Sequence, residues 1–71
     1  MTEDRRDDLR ATAESIIEDA EALKQVELSK LKLDPGDKAA QGLAQQAERL
    51  AGDIVAKAKA ERELADDRAN D

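Results

Sequence analysis

The chain has no cysteine, no histidine and no aromatic residue, and only one proline and three glycines among its 71 residues. Each shortage excludes something. Without cysteine there is no disulfide staple, no thiol nucleophile and no thiolate metal site. Without histidine the commonest general base and metal ligand is gone, and the Glu-x-x-His pair of carboxylate-bridged di-iron bundles cannot be built. Without Phe, Tyr or Trp there is no ring to fill a core, to anchor an interface or to stack on a base. With Pro35 as the only proline and Gly36, Gly42 and Gly52 as the only glycines, few places can turn the backbone sharply.

Large apolar residues are also scarce: thirteen Leu, Ile and Val and one Met, against fourteen alanines. A domain of this size struggles to bury enough apolar surface to offset its chain entropy. Charged residues make up 42% of the chain and the net charge is −6. That balance argues against nonspecific binding to nucleic acid or an anionic membrane. No run of residues approaches a membrane span and no basic-then-apolar N-terminus marks a signal peptide, so the expected location is cytoplasmic.

What is abundant is helix-forming: Ala, Leu, Glu, Lys, Arg and Gln. Apolar residues recur at helical spacing on both sides of "LKLDPGDKAAQGLA" (residues 31–44), the one place where the pattern breaks. There Asp34 suits an N-cap, Pro35 the first helical position and Asp37 the positive end of the helix dipole, with Gly36 between them. A second reading makes Gly36 a left-handed residue that ends helix one, with helix two starting near Asp37.

The expected fold is therefore all-α: a single domain over residues 1–71, an antiparallel two-helix hairpin that dimerises into a four-helix bundle. Helix one is expected at about residues 3–32 with Thr2 as its cap, a turn at about 33–36, helix two at about 35–66 and a frayed acidic tail at 67–71. On a helical wheel Leu9, Ala13, Ile16, Ile17, Ala20, Leu23, Leu28 and Leu31 share one side of helix one. Ala40, Leu43, Ala44, Ala47, Leu50, Ala51, Ile54, Ala58 and Ala65 form the matching stripe of helix two. Folding at Asp34 sets Leu28 against Leu43, Ile17 against Ile54 and Lys57 against Glu14.

Two cylinders touch along a line, so one hairpin leaves the flanks of both stripes wet. A second copy is the simplest cover. Lys24, Glu27, Lys57 and Glu61 intrude on the apolar stripes, where an unpaired charge is costly. Docking corner against open end would bring Glu27 to Lys57 and Lys24 to Glu61 of the other copy and so set the dimer register. Candidate surfaces for a further protein partner, helical or basic, are the acidic row Glu14, Glu18 and Glu21 and the flank residues Val26 and Leu33.

No phosphate loop, dinucleotide fingerprint or nucleophile elbow occurs; "GDK" at 36–38 is capping chemistry. No catalytic residue, cofactor or metal site is assigned. The function expected is that of a small, non-enzymatic protein–protein interaction or regulatory module acting as a homodimer. The alternative is a nucleic-acid-associated regulator. In architecture alone the two-helix pattern resembles the small plasmid RNA-binding hairpin called repressor of primer, a four-helix dimer of two-helix chains. The aromatic RNA-contacting residue of that family has no counterpart here, and neither Arg5, Arg6 and Arg10 nor Lys57, Lys59 and Arg62 have rings beside them to stack bases.

Overall fold

The computed structural model describes residues 2–66, with side chains from Arg5 onward. It contains two helices, α1 (Thr2–Lys30) and α2 (Lys38–Leu64), packed antiparallel into a rod measuring 53 × 15 × 12 Å. The cap assigned to the Thr2 side chain and the tail at 67–71 lie outside the described residues.

The corner differs from the expected one. Asp37, not Asp34, caps α2: its backbone is extended (φ −74°, ψ 134°) and its carboxylate accepts from the Ala39 N–H at 2.9 Å. Asp34 to Asp37 instead form a turn closed by the Asp37 N–H donating to the Asp34 carbonyl at 3.0 Å. Proline is favoured as the second residue of such a turn, and moving Gly36 out of the first helical turn spares the helix a poor helix former. Gly36 does not take a positive φ, so α1 ends differently from the second reading too. Its last turn tightens, with Lys32 N–H on the Ser29 carbonyl at 3.2 Å and Leu33 N–H on the Lys30 carbonyl at 3.1 Å. Lys30 in the last turn complements the negative end of the α1 dipole.

The seam between the helices follows a strict alternation of three- and four-residue steps. In α2 the partly covered residues are Ala40, Leu43, Ala47, Leu50, Ile54, Lys57, Glu61 and Leu64. In α1 the same steps run through Leu9, Thr12, Ile16, Asp19, Leu23 and Val26 and continue past the helix to Leu33. This is the heptad pattern that keeps one stripe facing its partner along a gently coiled pair. Thr12 fits the seam because its hydroxyl donates to the Asp8 carbonyl at 2.8 Å. Among the described residues Val26 alone is buried, at 7% exposure.

The wheel expected for helix one merged two adjacent stripes, and the structure separates them. Leu9, Ile16 and Leu23 turn inward; Ile17, Ala20, Leu28 and Leu31 do not. Lys57, expected opposite Glu14, pairs with Asp19 at 2.6 Å, its side chain reaching toward the corner. The connection is longer than expected because α2 starts only at Lys38.

Candidate interaction surface

One residue beyond each seam position, about 100° around the helix, runs a second row. In α1 it carries Arg10, Ala13, Ile17, Ala20, Lys24, Glu27 and Leu31. In α2 it carries Gln41, Ala44, Glu48, Ala51, Val55, Ala58, Arg62 and Ala65. Two antiparallel helices are related by an approximate twofold axis perpendicular to their common plane. The residue after each seam position therefore emerges on the same face of both. The residues before the seam emerge on the opposite face: Asp8, Ala11, Ala60 and Glu63 line one shallow recess there with Thr12 and Leu64.

The two faces are chemically unlike. The exposed large apolar residues are Ile17 (59%), Leu28 (44%), Leu31 (81%) and Val55 (54%). Ile17, Leu31 and Val55 lie in the second row, and Leu28 is beside it on the outer flank. Around them the α2 side alternates alanines (Ala44, Ala51, Ala58, Ala65) with Gln41, Glu48, Val55 and Arg62.

The charges singled out in the sequence divide between seam and surface. Lys57 and Glu61 are seam residues, half-buried within the chain, and Lys57 is bound to Asp19. Glu27 is exposed and pairs with Lys30 at 2.8 Å, one helical turn away. Lys24 is exposed on the second row. The structure thus does not bring these four residues together within one chain. Val26 is not a spare contact for a partner: it is the most buried residue of the hairpin, because the seam runs through it. Leu33 is partly covered where the chain leaves α1. Glu14, Glu18 and Glu21 are exposed, and no group of acids among the described residues is arranged to hold a metal ion.

Two interactions were not foreseen from sequence. Asp19 is not among the residues singled out in the sequence; its place at a seam step is the signal that marks it as a partner for Lys57. Arg5 closes the open end: its Nε donates to the Leu64 carbonyl at 2.5 Å, and its Nη2 to the carbonyls of Glu63 at 2.9 Å and Asp66 at 3.1 Å. A guanidinium there satisfies orphan carbonyls and complements the negative end of the α2 dipole.

Fold and surface together define an antiparallel helical hairpin that exposes Ile17, Leu31 and Val55 among alanines and charged residues on one face. No helix among the described residues is long and apolar enough to cross a membrane. No protein-family model, no curated protein and no solved structure matches the chain.

Proposed function

We propose that the chain is a non-enzymatic helical interaction module that works as a homodimer, two hairpins forming a four-helix bundle. The observation that carries this reading is the gathering of Ile17, Leu28, Leu31 and Val55 on one side of the rod. Scattered exposed apolar residues are ordinary, whereas several that share one side of a rod favour association there. The inner seam supports the reading from the other direction. With Val26 alone buried among the described residues, a lone hairpin has little apolar burial to set against the ordering of two long helices. The lack of histidine and cysteine supports a binding role over a catalytic one.

Light scattering across a dilution series, with helicity recorded on the same samples, tests the proposal. The expected result is a helical species near twice the 7.7 kDa chain mass that loses mass and helicity together on dilution. A monomer that stays fully helical at every concentration overturns it.

A further inference from the structure

We propose that the hairpin is built in two parts held shut by different forces, and that the outer part opens as one unit, with the Asp19–Lys57 pair as its catch, while the part beside the corner stays closed. The inference concerns contacts within one chain and goes beyond the homodimeric reading without depending on it.

The seam changes character at this pair. One heptad position of the α1 side reads, from the open end to the corner, Arg5, Thr12, Asp19, Val26 and Leu33, and all five are covered at least in part. It turns from polar to apolar between Asp19 and Val26. On α2 the turn falls between Ile54 and Lys57, since Leu43, Leu50 and Ile54 lie toward the corner and Lys57 and Glu61 away from it. Lys30 is the exception near the corner, and its ammonium is drawn out to Glu27 on the surface.

The bonds divide at the same level. Among the described residues, every side-chain hydrogen bond that crosses from one helix to the other lies in the outer part, and each has a charged donor: Lys57 to Asp19 at its inner edge, Arg5 to the carbonyls that end α2 at its tip. Thr12 donates within α1, to Asp8, and ties nothing across the seam. The corner part is closed instead by packing, around the buried Val26. Partly exposed ion pairs contribute little net stability, whereas apolar side chains removed from water contribute in proportion to their area. The outer part, with Leu9, Ile16 and Leu64 as its large apolar seam residues, is thus the weaker unit, and such units open below the free energy of global unfolding. An arm of about fifteen residues released from its partner is a marginal helix in water. Opening therefore frees its amides and bares an apolar row that the closed rod partly covers.

Amide hydrogen exchange, read residue by residue on the full chain, tests the proposal. Amides of 9–18 in α1 and 57–63 in α2 should share one protection level, about tenfold or more below a second level shared by the amides nearer the corner. Protection that climbs smoothly from the tips to the corner, or one level throughout, would overturn the proposal. Leu50→Val trims the packing of the corner part only. It should quicken exchange there about threefold and leave the outer level where it was, because the outer part opens without parting that contact. Equal quickening in both parts would make the hairpin a single unit and overturn the division. Asp19→Asn should quicken the outer amides about threefold; outer amides that keep their rate would remove the pair from its role as the catch.

Discussion

Lys57 Nζ lies 2.6 Å from Asp19 Oδ2 across the seam between α1 and α2. Both side chains are partly covered, 33% and 17% exposed respectively. The lysine stem packs along the seam while its head stays within reach of water. Within the chain this pair gives a lysine in the middle of the α2 stripe a charged partner. Removing one partner alone, as in Asp19→Ala, should destabilise the hairpin by about 1 kcal/mol, because Lys57 can still swing outward. Replacing both with leucine should be neutral or stabilising. Thermal melts of the two singles and the double check this; a double as unstable as the worse single contradicts it.

The corner makes a sharp distinction between two aspartates three residues apart. Asp37→Ala removes the carboxylate that holds the Ala39 N–H and should cost about 1 kcal/mol. Asp34→Ala keeps the backbone turn, since only its carbonyl is used, and should change stability by less than about 0.5 kcal/mol. Equal losses from both, or a larger loss from Asp34→Ala, would move the cap back to Asp34.

Arg5 acts through geometry as well as charge. Arg5→Lys keeps the cation but cannot reproduce a fork that spans the carbonyls of Glu63, Leu64 and Asp66. The expected loss is roughly 1 kcal/mol, expressed locally: amide exchange should quicken in the last turn of α2 and stay unchanged near Val26. Uniform quickening along both helices would mean that Arg5 contributes only to global stability.

Gly42 and Gly52 sit on the outer faces of α2, where an added Cβ meets nothing within 4 Å. Neither belongs to the seam or to the second row. Gly52→Ala should therefore stabilise by up to about 1 kcal/mol, visible as a higher Tm, and leave the solution mass as it was. A change in mass would place Gly52 in an interface.

The hairpin itself was legible because its signals are local. Helix formers fill two long segments, and one Asp-Pro-Gly-Asp stretch separates them. The cap was misplaced because Asp34 and Asp37 both satisfy capping chemistry; which one serves depends on whether Pro35-Gly36 joins the helix or the turn before it. The seam of α1 was harder for a different reason. Ile16 and Ile17 are both large and apolar, and a wheel centred between them absorbs Leu28 and Leu31 and misses Val26. Asp19 and Thr12 weaken the true seam in composition although they belong to it in position. The step pattern of α2, where Leu43, Leu50, Ile54 and Leu64 stand out against alanine, identifies the inner row, and α1 follows only once α2 is laid beside it. The exposed apolar residues were legible as an excess of greasy residues on α1, but not as a shared surface, because Val55 is the one large apolar residue that α2 adds.

The antiparallel pairing also orders events in time. Residues near the corner are separated by few links of chain, so bringing them together loses little entropy; those at the open end close the longest loop. Val26, the best-buried side chain, lies close to the corner, and Arg5 ties the far end. The chain is thus built to zip from the corner outward and to part from the open end first. The two arms behave like forceps: packing holds the hinge, and at the tips a guanidinium grips the carbonyls that end α2.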